Sequence, residues 1–462
     1  MAVVRPFRGV RYNPDRITNL DDVVSQPYDR ITPELAEAYA NRSPYNITGI
    51  ILGHDEDDSL PASTANHGEA PYQRARQHYE QWLADGILMR EPQPAIYAYE
   101  QTFTVGEKTF VRLGFIGAVA LTEFEEGVIL PHERTHSGPK RDRMRLLQTL
   151  QVNPEQIFLL YPDPQNRVNQ ILRAAIGNRA PDLTITELFE HEVAQRVWVI
   201  TSPDAIEAVH NLMRPMRGLI IADGHHRYET ALAYRRDFLA RHPETPPDAA
   251  VNFISATLVS MDDPGLVVLP THREIRNFTA TSPAEVLDRA SALFDTHPAT
   301  DLDGMLAEVN RHPRGLAFGF YGGPQTGFHV LTLKPEIDLN TLIDDPRSTA
   351  WKSLAVTVLH RVLLDQIARV PREGIEDKTM ICYHRDPCEP VRNVDAGRGN
   401  FAFFLSPTTI EQIKSVAARG EKMPQKSTDF YPKMISGIVM LPIGADENLP
   451  LHADLAALSH DS

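Results

Sequence analysis

At 462 residues, 42% apolar and 23% charged, the chain has a globular composition and material for about two to four domains, which excludes wholesale disorder. Its net charge of −15 opposes binding to a phosphate backbone and argues against a dedicated DNA binder unless its basic residues cluster tightly. Cys382 and Cys388 are the two cysteines, and their spacing is neither a zinc-knuckle nor a redox pattern. So few cysteines suit a reducing compartment. The amino terminus lacks an apolar stretch of signal-peptide length, and no apolar run approaches the roughly 18 residues of a membrane span. The expectation is a cytoplasmic protein with no membrane partner.

In chain order, the polar and acidic stretch from His54 to Pro71 predicts an exposed loop. Tyr72, Ala75, Tyr79, Trp82 and Leu83 recur near helical spacing, so Tyr72 to Asp85 predicts an amphipathic helix stopped by Gly86. Ala95 to Leu121 turns β-rich, with Gly106-Glu107-Lys108 as the turn. A strand through Val128 to Leu130 runs into Pro131-His132-Glu133-Arg134-Thr135, and a helix follows from Asp142 to Leu150. Gly218 to Ala222 predicts a short buried strand that passes directly into Asp223-Gly224-His225-His226-Arg227 and a helix over Tyr228 to Arg241. The last third predicts a helix near Pro283–Phe294, strands near Gly315–Tyr321 and His329–Leu333, and a long helix near Ala350–Arg369. Further strands are expected at Phe401–Leu405 and Ile435–Leu441. Scattered proline and the absence of a repeat favour many short elements, and the class is α+β (mixed α/β).

Two segments carry most of the chemistry. In Asp223 to Arg227 a strand, a glycine turn and a helix start bring backbone N–H groups to one point, which is a phosphate cradle. Arg227 adds a bidentate cation, and His225 and His226 can move protons. The plain alternative makes Asp223 a helix cap and Gly224 its turn. In Leu130 to Arg143 a carboxylate, Glu133, stands among His132, Arg134, His136, Lys140, Arg141 and Arg143. Such an acid stays ionised and suits a general base or a magnesium ligand, while Ser137-Gly138-Pro139-Lys140 suits an anionic substrate. Thr271, His272 and Arg273 follow a strand-like run and are candidates for the same cleft. Ser25-Gln26-Pro27-Tyr28-Asp29 reads as structural turn chemistry, and Met423 to Lys433 reads equally as a cover over a phosphate donor or as a packed arm. Walker A, kinase Gly-rich and GxGxxG patterns are absent.

The motifs PHERTHSGPKRDR, ADGHHRYETALAYR, PTHR and MPQKSTDFYPKMISG, with RPFRGVRYN and SPYNI near the start, resemble the bacterial family called Domain of Unknown Function 1015 over essentially the whole chain. That family is similar to the free serine kinases, whose core is shared with ParB partition proteins and sulfiredoxin. The resemblance implies a ParB/sulfiredoxin-like core at 126–274, with additional α/β segments at 1–125 and 275–462. It assigns Asp223, Gly224, His225, His226 and Arg227 to a nucleotide-phosphate turn and Glu133 to the base that deprotonates serine. His225 stands where sulfiredoxin has its cysteine, which argues against sulfinic acid reduction.

The function so implied is a free L-serine kinase making O-phospho-L-serine from ATP, ADP or polyphosphate. Mg²⁺ would be the cofactor, with Asp223 a ligand, and His225 and His226 would orient the transferred group. His132, Thr135, Ser137, Lys140, Thr271, His272 and Arg273 would contact substrate. The partners are small molecules rather than nucleic acid, and the sequence leaves a homodimer open. Two rival readings stand beside it. One is a ParB-like nucleotide-binding regulatory module; the other is a metal-dependent phosphohydrolase built on His132, His136, His225, His226 and His272.

Overall fold

Residues Ile96–Val105 and Lys108–Ala120 alternate and run apolar, and they pair as an antiparallel hairpin whose two-residue turn places Gly106 at φ +60°. This hairpin is the centre of a nine-stranded sheet in the computed structural model, which describes residues 1–52, 70–133, 137–187, 189, 192–312 and 315–449. The strands are β1 (Val4–Arg5), β2 (Ile96–Val105), β3 (Lys108–Ala120), β4 (Ile129–Leu130), β5 (Ile157–Tyr161), β6 (Leu183–Glu187), β7 (Val193–Ile200), β8 (Leu219–Asp223) and β9 (Phe253–Ser260). Their order is β4-β8-β5-β9-β3-β2-β7-β6, with β1 paired to β3. The β4–β8 and β5–β9 pairs are parallel and the other pairs antiparallel.

β5 and β9 are buried along their whole length, as strands covered on both faces must be. Helices α1 (Ala70–Ala84), α2 (Ser137–Leu150), α3 (Arg167–Ile176), α4 (Pro203–Met213) and α5 (His225–Arg241) belong to the same compact unit. Its core gathers Phe115, Leu159, Tyr161, Ile221, Tyr228 and Leu258, and a second cluster joins Tyr12, Trp82, Leu146 and Met440. A different unit holds a six-stranded sheet of β10 (His272–Ile275), β11 (Phe294–Ala299), β12 (Ala317–Tyr321), β13 (Phe328–Leu333), β14 (Ile381–His384) and β15 (Phe401–Leu405). Its order is β11-β13-β12-β15-β10-β14, and α6 (Pro283–Ala290), α7 (Leu302–Arg311) and α8 (Cys388–Asp395) accompany it.

The class is mixed α+β, as the sequence predicts. Several boundaries differ for local reasons. The helix expected from Tyr228 begins at His225, because Gly224 takes a left-handed conformation and lets the strand turn at once into a helix. The helix expected from Asp142 begins at Ser137. The one expected over Pro283–Phe294 stops at Ala290, and Phe294 opens a strand. The long helix expected over Ala350–Arg369 is broken where Leu354 is extended, and Leu359–Ala368 continues as a π-helix. The strand expected at Ile435–Leu441 is irregular, since Gly437 sits at φ +100° and Ser436 and Met440 make isolated bridges to Ser25 and Val10. Residues 53–69, most of the expected loop, lie outside the described residues.

The compact units also differ from three consecutive segments. One comprises Met1–Pro131, Thr135–Val267 and Pro432–Ser462, and the other His132–Arg134 and Val268–Tyr431. Strand pairing accounts for the first: β2 and β3, from the amino-terminal third, lie in one sheet with β5, β8 and β9.

Candidate functional site

β8 ends at Asp223, Gly224 follows at φ +90° and ψ 26°, and α5 starts at His225. A Cβ at position 224 would lie 2.8 Å from Ile157 Cγ2, so backbone conformation and space both require glycine. The amino terminus of a 17-residue helix, with its partial positive charge, therefore stands at the end of a buried strand. Asp223 Oδ2 accepts from Arg227 Nη2 at 2.9 Å and Oδ1 accepts from Lys433 Nζ at 3.2 Å. Arg227 Nη1 also donates to the Gln156 carbonyl, whereas its Nε is buried without a hydrogen-bond partner. Burial alone would raise the Asp223 carboxyl, but Lys433, then Arg227, outweigh it and hold the group below the usual carboxylate range.

Lys433 reaches this turn across 210 residues because two buried side chains anchor its backbone. Gln101 and Arg112 face each other in register on β2 and β3. Arg112 Nη2 donates to the Pro432 carbonyl at 2.6 Å, and Gln101 Nε2 to the Lys433 carbonyl at 3.4 Å. The Arg112 guanidinium lies over the Phe158 ring at 5.0 Å, and burial lowers its pKa to about 10.

The amino-terminal segment enters the same site. Glu155 Oε1 accepts from the Tyr28 N–H at 3.2 Å and from Ser436 Oγ at 2.8 Å, so one buried carboxylate ties an early and a late segment of the chain together. The Arg143 guanidinium stacks over the Tyr28 ring at 4.1 Å. Beside them, the Asp29 carboxyl is pushed up by the crowding of protein atoms and by the Asp223 charge, although the residue keeps a face to solvent. Burial also raises the Tyr28 hydroxyl, beyond the range in which it would titrate. The sequence reading treats Ser25 to Asp29 as structural; the fold makes it part of the charged cluster. Its only sequence signal is an acid next to an aromatic in a Pro turn, which is too common to single out.

Other expected residues fall as follows. His225 is buried and His226 half-buried at the helix start. Lys140 on α2 pairs with Glu229 on α5, so its charge serves a helix–helix contact. Arg143 is buried, donating to Asp142 and to the Ile51 carbonyl. Between these helices Arg143, Glu155, Arg227 and Thr230 border a cavity of about 40 Å³, room for a water rather than a nucleoside. Thr135 and the Ser137 side chain lie outside the described residues.

His132 and Glu133 belong to the other unit. There His132 Nε2 lies 2.8 Å from Thr428 Oγ1, and its carbonyl accepts from the Met423 N–H at 2.8 Å. Thr271, His272 and Arg273 are in that unit too. Arg273 is buried and donates to the carbonyls of Thr271 and Lys426, while burial, then Arg273, depress the His272 imidazole to about 3. The five-histidine metal centre finds no support: the metal-competent group among the described residues contains none of His132, His225, His226 and His272, and His136 lies outside those residues. No helix among the described residues is long and apolar enough to cross a membrane.

No curated protein matches the sequence. Among solved structures, a conserved hypothetical protein from Pyrococcus furiosus is 13% identical, with 71% of this chain and 93% of that chain covered and a TM-score of 0.30. A free serine kinase in complex with AMP is 12% identical, with coverage of 69% and 89% and a TM-score of 0.32. SbnI with a C-terminal truncation, from Staphylococcus aureus, is 9% identical, with coverage of 75% and 90% and a TM-score of 0.32. The family model described as protein of unknown function (DUF1015) matches residues 4–357, well over half of the sequence, and the chain belongs to that family.

Proposed function

We propose that the chain is a phosphotransferase whose donor phosphates bind at the Asp223–Arg227 turn and whose acceptor is free L-serine. The observation that carries this reading is the meeting of three features: a helix amino terminus, Arg227 with a buried unbonded Nε, and Lys433. Phosphoryl transfer asks a protein mainly for positioning and for neutralisation of charge on phosphate oxygens, and these groups supply both. The family's resemblance to the free serine kinases, with the same order of strand, Pro-His-Glu, helix and Gly-His-Arg-type turn, supports serine as the acceptor, with ATP, ADP or a polyphosphate as donor.

The residues fit a phosphate group, because the helix terminus and the Arg227 Nε offer donors at one place. They do not fit a resident Mg²⁺ on Asp223, since both carboxylate oxygens already accept from cations. Asp223 instead anchors Arg227 and Lys433, and a Mg²⁺ arriving with the donor would ride on the donor's own oxygens. His225 and His226 would orient the transferred group. Glu133 would accept the serine proton, as the resemblance implies.

The test is phosphorus NMR on the purified chain with Mg²⁺, L-serine and ATP, ADP or tripolyphosphate in parallel. A new O-phosphoserine resonance is expected with at least one donor. Glu133→Ala should abolish transfer while donor binding, followed by calorimetry, is retained. Full turnover in that variant would remove Glu133 from the mechanism, and silence with every donor would favour a nucleotide-binding module of the ParB type.

A further inference from the structure

The six-stranded sheet contains a polar cluster that the phosphotransfer reading does not use. On β10 and β14, Glu274 stands directly opposite Cys382 and His272 directly opposite His384. Directly opposed residues, and residues two apart on a strand, share a face of the sheet. One ligand atom each from Glu274, Cys382 and His384 lies within 4.8 Å of the other two. Glu274 and His384 are buried, at 2% and 8% exposure, which is costly for a carboxylate without compensation.

Glu274 and His384 each have a further polar neighbour. Asn393 Nδ2 donates to Glu274 Oε2 at 2.8 Å. Gly399 leaves the room this carboxylate occupies, since a Cβ there would lie 2.9 Å from Glu274 Oε1. His384 Nδ1 is 3.1 Å from Glu389 Oε2, within ion-pair reach, so on metal binding at Nε2 this carboxylate is the group placed to take up the Nδ1 proton and fix the tautomer.

The remaining nitrogen decides between two explanations. A simple ion pair would have His384 Nε2–H pointing at Glu274. The two atoms are 2.8 Å apart, yet Nε2 is buried and makes no hydrogen bond, so the ring axis misses that oxygen. Nitrogen and oxygen are placed side by side, as two ligands of a third atom would be, and the Cys382 sulfur completes the set.

We infer that Glu274, Cys382 and His384 form a Zn²⁺ site with a fourth position open to water. A thiolate, an imidazole and one carboxylate suit Zn²⁺, whereas Mg²⁺ and Ca²⁺ take oxygen ligands. Bonds of roughly 2.0–2.1 Å at a tetrahedral angle set the N···O separation near 3.3 Å, so the two side chains part by a few tenths of an ångström on binding. The Cys382 S–H bond breaks, the sulfur keeps the electron pair for the metal, and one proton passes to solvent. β14 is the edge strand of its sheet, and the ion fastens it to β10. This inference is independent of the phosphotransfer proposal.

The test uses the full chain after chelator treatment, with Co²⁺ as the spectroscopic probe. The expected result is a sulfur-to-cobalt charge-transfer band and intense tetrahedral visible bands that saturate at one equivalent and are displaced by Zn²⁺. Cys382→Ser should abolish the charge-transfer band, and Cys388→Ser should leave it intact. Glu389→Gln should weaken Co²⁺ binding about 10–100-fold without moving the band. A chain that keeps its native circular dichroism but shows no such band overturns the site, as does a band that survives in Cys382→Ser. Alkylation of the unsubstituted chain covers a Cys382→Ser protein that fails to fold. Stoichiometric Zn²⁺ should slow labelling of Cys382 at least about tenfold and spare Cys388, and equal rates with and without metal would refute the assignment.

Discussion

Around Asp223 stand carboxylates and cations drawn from distant parts of the sequence, Asp29, Glu155, Arg227 and Lys433, with the His225 imidazole beside them. Around Glu274 a carboxylate, a thiol and an imidazole come from two adjacent strands, and strand register alone sets their spacing. The first cluster balances charge with charge and leaves a guanidinium N–H unspent, which suits an anion. The second adds a thiol and leaves the buried His384 Nε2 without a hydrogen bond, which suits a transition metal. Two polar clusters of one chain thus differ in chemistry because one is assembled by loops and chain ends and the other by a ladder.

The sharpest way to break this contrast is Arg227→Ala. Removing one partner of a largely desolvated pair deprives Asp223 of one of the two cations hydrogen-bonded to it, and a loss of about 3–5 kcal/mol in urea unfolding is expected. Arg227→Lys should recover only part of it, because lysine lacks the fork that reaches both Asp223 and the Gln156 carbonyl. Equal stability in all three proteins would mean that packing, not charge, holds the turn. Gly224→Ala is next, at about 1–3 kcal/mol, because a left-handed backbone and the contact with Ile157 both resist a Cβ. A crystal structure of that variant with an unshifted helix start would contradict the account given for α5.

The smallest effect is on acid stability. The folded Asp223 carboxyl lies below its unfolded value, so its contribution is complete above about pH 4 and is lost as pH falls through the folded pKa. Asp223→Asn should therefore flatten the decline of stability below about pH 4, measured as urea midpoints against pH. An unchanged acid limb would show that Lys433 and Arg227 do not lower that group.

Much of the first site is legible in the sequence, because its key features are contiguous. A buried run, Asp-Gly and a helical stretch place the turn before any fold is known, and Gly224 behaves as its position demands. The sequence leaves Lys433 in a segment that reads equally as a phosphate cover or a packed arm, and Asp29 in a structural turn; Arg112, Gln101 and Glu155 bring both in through contacts spanning 127 to 332 residues. Cys382 shows the same limit more severely. Its spacing to Cys388 matches no metal pattern, yet its partner Glu274 lies more than a hundred residues away on a neighbouring strand.

By itself the sequence determined the mixed α+β class, the strand–turn–helix at Asp223 and the helix over Tyr72 to Asp85, because periodicity, glycine conformation and apolar runs act within a few residues. Tertiary structure decided which carboxylates share a site, which lysine reaches Asp223 and which thiol meets an imidazole. Those outcomes depend on strand order and register, and pairing between distant segments is settled by burial of the whole sheet rather than by any one segment.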